Sequence, residues 1–205
     1  MDKLAAVKNT VVQCKRCIDL VNSRNISVPG YGYPNADILF IGLAPGRYGA
    51  DKTGKPFTKD ASGKIFQTAL SLAEITMEPN GIDQREELLK AYVTNLVKCN
   101  PRDENGNNRY PTTSEIENCL EYLQRELELI NAPVVVPLGK LSTESVTGQK
   151  CGKFSSLHNI PIRMENYWCI PFIHPSYVAR GAYPREKYYD DFRSLSNFVK
   201  LNKRC

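Results

Sequence analysis

Four short apolar runs constrain this chain more than anything else in it: Ile38–Ile41, Tyr92–Val97, Pro133–Leu138 and Cys169–Ile173. Each is nearly continuous rather than alternating, the pattern of a strand covered on both faces. Helical patterns separate them. Ile65, Phe66, Ala69, Leu70 and Ala73 share one face of a helix that Ser62 is placed to cap. Ile116, Cys119, Leu120, Leu123, Leu127 and Ile130 share a face of a second, with Ser114-x-x-Glu117 as its capping box. Pro184 opens a C-terminal helix that buries Tyr188, Phe192, Leu195 and Val199. Residues 1–22 read as a short amphipathic helix with Cys14 and Cys17 near its end. Strands alternating with helices predict an α/β fold: three layers, α/β/α, around a central, mainly parallel four-stranded sheet. At 205 residues the expectation is a single domain over 1–205.

No run is long and apolar enough to span a bilayer, and the first residues lack the apolar core of a signal peptide. A cytoplasmic protein without membrane contact is expected. The net charge of +5 permits a polyanionic partner without demanding one. Seven cysteines are many for such a chain, and the odd number fits a disulfide framework poorly. Cys14-x-x-Cys17 puts two thiolates within reach of one metal centre. Cys99 closes the second apolar run, and the loop it begins feeds the helix carrying Cys119 on its inward face. Four thiolates suit a [4Fe–4S] cluster or a structural Zn²⁺, and spacing does not decide between them. The alternative is that Cys99 and Cys119 are small buried hydrophobes. Cys151, Cys169 and Cys205 follow no pairing pattern.

The first apolar run spills into Gly42-Leu43-Ala44-Pro45-Gly46, followed by Pro56-Phe57 and Asp60. Ligands of open α/β sheets bind at this edge, beyond the carboxyl ends of the strands. Gly49 to Lys55 matches the start of a phosphate-binding loop. Pro56 then stands where that motif needs Ser or Thr for Mg²⁺, and it lacks the backbone N–H the phosphates require. Both departures argue against nucleotide hydrolysis. His174-Pro-Ser176 follows the fourth apolar run, so parallel strands bring it to the same edge as the Gly42 loop. His174, Phe57 and Asp60 are expected to converge there, with Asn95 late in the second run. An asparagine inside an apolar strand needs partners, which neighbouring backbone or a ligand amide can supply. The polar stretch 102–109 reads as disordered.

Together these residues resemble the uracil-DNA glycosylase superfamily, and specifically its iron–sulfur branches. The resemblance rests on Gly42-Leu-Ala-Pro-Gly46, Thr53 to Gly63, Thr94-Asn-Leu-Val-Lys-Cys99, Pro111 to Cys119 and His174-Pro-Ser176, in that order. Leu43 and Asp60 are similar to the type b, or family 5, enzymes; Tyr177-Val-Ala-Arg180 and the helix after it are more similar to family 4.

The resemblance implies hydrolysis of the N-glycosidic bond of uracil, or of other deaminated bases such as hypoxanthine, in DNA after base flipping. It implies Asp60 and His174 as catalytic groups: His174 donating to the uracil O2, Asp60 orienting the water. For Asp60 a helix N-cap is the rival role. Gly42, Leu43, Ala44, Phe57 and Asn95 would contact the base, Phe57 by stacking. Ser176, Tyr177, Arg180 and Arg185 would contact DNA. Cys14, Cys17, Cys99 and Cys119 would hold a [4Fe–4S] cluster tying residues 14–17 to 99–119. A monomer is expected; a sliding clamp as partner is left open. The competing class is a non-catalytic iron–sulfur or zinc module that binds nucleic acid with the same fold.

Overall fold

The computed structural model describes residues 2–83 and 85–202; Cys205 lies outside the described residues. Its strands are β1 (Tyr31–Gly32), β2 (Ile38–Gly42), β3 (Ile75–Thr76), β4 (Leu89–Asn95), β5 (Val134–Pro137), β6 (Ile162–Arg163) and β7 (Trp168–Cys169). The helices are α1 (Lys3–Val12), α2 (Ile18–Ser23), α3 (Ala50–Thr53), α4 (Ala61–Leu72), α5 (Thr113–Ile130), α6 (Lys140–Thr147), α7 (Pro175–Ala179) and α8 (Arg185–Asn202). The four apolar runs become the parallel strands β4, β2, β5 and β7, adjacent in that order. Short strands extend both edges: β1 antiparallel and β3 parallel to β4, and β6 antiparallel to β7. The expected α/β/α architecture with a four-stranded parallel centre holds.

Alternation along each strand feeds two cores. Ile38, Phe40, Ala91, Val93, Val134 and Val136 pack with α4 and α8, where Phe40 stacks on Phe192 at 5.8 Å between ring centroids. Leu39, Ile41, Tyr92 and Val135 pack with Leu4 of α1 and with Leu123 and Ile130 of α5. Burying both faces is why these segments read as unbroken apolar runs.

Local details differ from the sequence reading. The N-terminal segment forms α1 and α2 rather than one helix, and Cys17 is the N-cap residue of α2. The capping box of α5 is Thr112 with Glu115, two residues earlier than Ser114 with Glu117. Asp60, not Ser62, caps α4 through a 2.7 Å bond from the Gly63 N–H. A carboxylate at this position also favours the positive end of the helix dipole, so it outcompetes the serine. Strand β4 starts three residues before Tyr92, while β7 stops at Cys169 and continues only as a bridge between Phe172 and Leu138. Residues 102–109 are not disordered but form a hairpin. Arg102 pairs with Asn108, and Asp103 holds Gly106 and Asn107 across the turn.

Candidate active site

Strands β2 and β4 end side by side, with Gly42 in register opposite Asn95. A Cβ on Gly42 would lie 2.4 Å from Asn95 Oδ1 and 2.7 Å from the Phe57 ring, so only glycine leaves room for both side chains. The Phe57 backbone is left-handed, with φ of 51°, an uncommon setting for a bulky residue that marks a constrained position. The surroundings enforce it. The Phe57 carbonyl accepts from Gln67 Nε2 at 2.9 Å and presses on Gly63, where a Cβ would come within 2.7 Å of it. The ring itself lies 4.5 Å from Phe66 and 5.7 Å from His174, centroid to centroid.

These residues border a cavity of about 360 Å³ at the carboxyl edge of the sheet. Leu43, Ala44, Phe57, Asp60, Asn95 and His174 all line it, as do Ser176, Tyr177 and Arg180. Gly42 stands behind Asn95 and Phe57. Arg185 is exposed at the start of α8 and is not among the lining residues.

Asn95 is 2% exposed, yet its side-chain amide has no hydrogen-bond partner among the described residues. The amide opens on the cavity, where a ligand can pair with it. The backbone beneath it is clamped instead. Lys98 Nζ donates to the Asn95 carbonyl, to Thr94 Oγ1 and to Glu126 Oε2 at 2.6–2.7 Å. Both members of this ion pair are essentially buried.

His174 is the N-cap residue of α7 and is half-buried. Its Nδ1 accepts from the Ser176 N–H at 3.2 Å and contacts Ser176 Oγ at 2.9 Å. A ring nitrogen that accepts cannot carry the proton, so the neutral imidazole carries it on Nε2 as a donor. Burial pushes the imidazole down to about 4, and Arg180 adds to the shift. The ring is therefore neutral at pH 7. Asp60 divides its carboxylate: Oδ1 caps α4, while Oδ2 nestles against Gly46 and Gly49, where a Cβ would fall within 2.7 and 2.5 Å. Asp60 thus is an N-cap, and one oxygen remains outside that bond.

The 102–109 hairpin, read from sequence as featureless, completes the wall with Asn108, Arg109 and Tyr110. Buried Asn100 ties it to the glycine loop, donating to the Pro45 carbonyl at 2.7 Å and to Asn108 Oδ1 at 2.8 Å. Asn100 directly follows Cys99 at a strand end, which was its available signal. Gly139, Lys140 and Ser142 at the start of α6 were missed as well, and there the sequence offered only a glycine after an apolar run.

Cys14, Cys17, Cys99 and Cys119 surround a second, small cavity and share one core cluster with Leu20 and Tyr122. None of the four is in a disulfide. Arg24 Nη1 donates to Cys99 Sγ at 2.8 Å while its Nη2 donates to the Cys14 carbonyl, and Asn118 Nδ2 donates to Cys17 Sγ at 3.4 Å. Burial pushes the Cys119 thiol up to about 11 and raises Cys99 too, the latter offset in part by Arg24. Among the described residues no three metal-ligating side chains are grouped closely enough to hold a single ion. Among the described residues no helix is long and apolar enough to cross a membrane.

The chain is similar to known proteins over most of its length. Residues 29–195 match the family model described as the uracil DNA glycosylase superfamily. The chain is similar to the type-4 uracil-DNA glycosylase of Sulfurisphaera tokodaii, 33% identical over all of this chain and 88% of the relative. It is 31% identical to the type-4 enzyme of Archaeoglobus fulgidus over 95% of this chain and 92% of that one. The type-5 uracil-DNA glycosylase of Pyrobaculum aerophilum is 35% identical across 67% of this chain and 66% of its own length. The chain belongs to the uracil-DNA glycosylase superfamily.

Proposed function

We propose that this protein is a cytoplasmic DNA repair glycosylase that hydrolyses the N-glycosidic bond of uracil in DNA, with other deaminated bases such as hypoxanthine as further substrates. The unpartnered Asn95 amide carries the reading: it is 2% exposed and lines the same cavity as the Phe57 ring and the neutral His174 donor. Uracil presents a carbonyl acceptor beside an N–H donor, and an amide answers both. The flipped base stacks on Phe57, whose opposite side rests on Phe66.

Cleavage leaves negative charge on the departing base and positive charge on the sugar. His174 Nε2–H is the donor for the uracil O2 on which that charge collects. Being neutral, it stabilises the anion by hydrogen bonding, without a buried cation to desolvate in the ground state. Backbone N–H groups of the Leu43–Ala44 loop act on the same charge. Asp60 Oδ2 orients the attacking water and favours the cationic sugar. Ser176, Tyr177, Arg180 and Arg185 hold the DNA strand around the lesion.

Cys14, Cys17, Cys99 and Cys119 are proposed to bind a [4Fe–4S] cluster within the 1–205 domain. The donor set fits. All four cysteines ring one small cavity and none is bridged by a disulfide, and four thiolates are the ligand set of such a cluster. When bound, the cluster supplies a structural tie between residues 14–17 and 99–119. Arg24 and Asn118 then donate to its sulfur ligands.

Incubating the protein with uracil-containing duplex DNA, followed by alkali, tests the activity. Strand breaks at uracil that form far more slowly in Asn95→Ala and His174→Ala are expected. Absence of breaks at uracil and hypoxanthine alike would rule the reading out.

A further inference from the structure

The proposed base pocket does not account for the ring that stands at the mouth of the cavity. Tyr110 lines it from the hairpin side yet is 68% exposed. Its hydroxyl makes no hydrogen bond, and neither face of its ring meets another ring or a cation, among the described residues. The other exposed tyrosines nearby are occupied: Arg180 lies over Tyr177 at 5.0 Å, and Arg47 and Lys52 lie over Tyr48 at 5.2 and 5.6 Å.

The backbone beneath Tyr110 is fixed while the ring is left bare. Arg109 forks onto Glu115 at 2.8 and 2.6 Å and donates to the carbonyls of Arg102 and Tyr110 at 3.0 Å. Glu115 also caps α5, so the guanidinium anchors the tyrosine to a helix terminus. Such anchoring leaves little ordering cost for whatever lands on the ring. Lys140 and Arg180 line the same cavity as cations, against Asp60 as its lining carboxylate, while Arg109 is paired with Glu115. A free aromatic face beside cationic side chains is the combination that binds unpaired nucleotides, through base stacking and phosphate contact.

We propose that Tyr110 is a stacking platform for the base of a nucleotide neighbouring the flipped one in an unpaired DNA strand. The inference rests on the glycosylase reading for the position of the flipped nucleotide. In an intact duplex the neighbouring base is already stacked and paired, and bringing it onto Tyr110 needs a second unstacking step of about a few kcal/mol. In a single strand its face is free. Tyr110 therefore favours uracil in single-stranded over double-stranded DNA.

The test compares wild type, Tyr110→Ala and Tyr110→Phe on one uracil-containing sequence, single-stranded and fully paired. In parallel, binding of a uracil-free single strand carrying 2-aminopurine is followed by fluorescence quenching. Expected for Tyr110→Ala is a KM on single strands raised about 5- to 150-fold, the range for losing one base–aromatic stack. Its kcat and its duplex KM stay as in wild type, quenching is lost, and Tyr110→Phe behaves as wild type. Equal losses on both substrates, or unchanged single-strand KM and quenching, overturn the proposal. Wild type that releases no uracil but quenches through Tyr110 sinks the glycosylase reading and leaves the platform standing; uracil release with quenching indifferent to Tyr110→Ala does the reverse. Because the side chain is exposed, Tyr110→Ala should melt as wild type does, which a thermal scan checks.

Discussion

Gly42 and Asn95 face each other across β2 and β4, and the absence of a side chain on one is what gives the other its place. An alanine at position 42 would put its Cβ 2.4 Å from Asn95 Oδ1 and 2.9 Å or less from two atoms of the Phe57 ring. Neither neighbour yields freely. Asn95 is held by the Lys98 bond to its own carbonyl, and Phe57 by Phe66 and Gln67. Gly42→Ala is expected to displace both base-contacting groups and lower kcat/KM about 10²-fold, the scale of a misplacement near 1 Å. Steady-state kinetics on a uracil duplex checks this, with circular dichroism expected to show the fold retained.

His174 yields a pH prediction with a definite sign. Its folded value of about 4 lies below the ordinary 6.5, so between those values the unfolded chain binds a proton that the folded protein does not. Stability from this group is present above pH 6.5 and is lost as pH falls toward 4. His174→Gln, which keeps an N–H donor, should flatten that part of the stability–pH curve in chemical denaturation. His174→Ala should lose about 10²- to 10³-fold in kcat while binding uracil-containing DNA normally, as expected on removing one donor to a developing anion. A wild-type rate that falls with an inflection near 6.5 would contradict a neutral donor.

Much of this site was legible because parallel strands send their loops to one edge. The runs ending at Ile41, Val97 and Ile173 bring the Gly42 loop, Asn95 and His174 around one cavity. What stayed hidden depends on side-chain pairing over long separations. Residues 102–109 looked disordered because polar composition does not reveal that Asn100 ties Asn108 to Pro45. Glu126 is not among the apolar residues that mark the inward face of its helix in the sequence, yet it is fully buried against Lys98. The cap of α4 was misplaced by two residues, since Asp60 and Ser62 are both good caps and tertiary contacts with Gly46 and Gly49 choose the aspartate.

The Lys98–Glu126 pair should be costly to break and cheap to replace. Glu126 also accepts from Thr94 at 2.8 Å and from the Gly30 N–H at 3.2 Å, so its carboxylate is well satisfied. Lys98→Met alone leaves a buried carboxylate uncompensated and is expected to destabilise by about 3–5 kcal/mol. Combining it with Glu126→Gln should recover a large part of that loss. Urea denaturation of the two single variants and the double gives the coupling directly.

Removing the proposed cluster should loosen the N-terminal segment first. Cys14 and Cys17 stand between α1 and α2, and a shared cluster would cross-link them to Cys99 and Cys119 on the other side of one small core. Protein purified without oxygen should be brown, with about four irons per chain. Cys17→Ser should be pale, melt at lower temperature and be cleaved by protease within residues 1–24 sooner than wild type. Arg24→Met, which removes the donor to Cys99 Sγ, should keep the iron and shift the cluster's reduction potential downward, because hydrogen bonds to cluster sulfurs stabilise the reduced state. A colourless protein carrying one zinc would replace the cluster assignment.

The second histidine holds the first in place. His158 Nδ1 accepts from the Ile173 N–H at 3.1 Å, one residue before His174, while its Nε2–H meets Asp191 Oδ2 at 2.8 Å. Tyr183 donates to the same carboxylate oxygen at 2.7 Å. Burial alone would raise Asp191, but the hydrogen bonds from His158 and Tyr183 outweigh it and hold the carboxyl below the usual range. A depressed carboxyl contributes stability above its unfolded value near 4 and loses it as pH falls through the folded value. Asp191→Asn should remove this acid-sensitive contribution and lower the neutral-pH melting temperature. His158→Ala leaves the Ile173 N–H without a partner, a cost of about 1–3 kcal/mol, and takes one donor from the Asp191 carboxylate, which keeps the Tyr183 hydroxyl. It should also reduce kcat by about tenfold with little change in KM, since the strand end that aims His174 is released while Asn95 and Phe57 keep their places. A KM rise with kcat unchanged would mean that the network shapes the base pocket rather than the leaving-group donor.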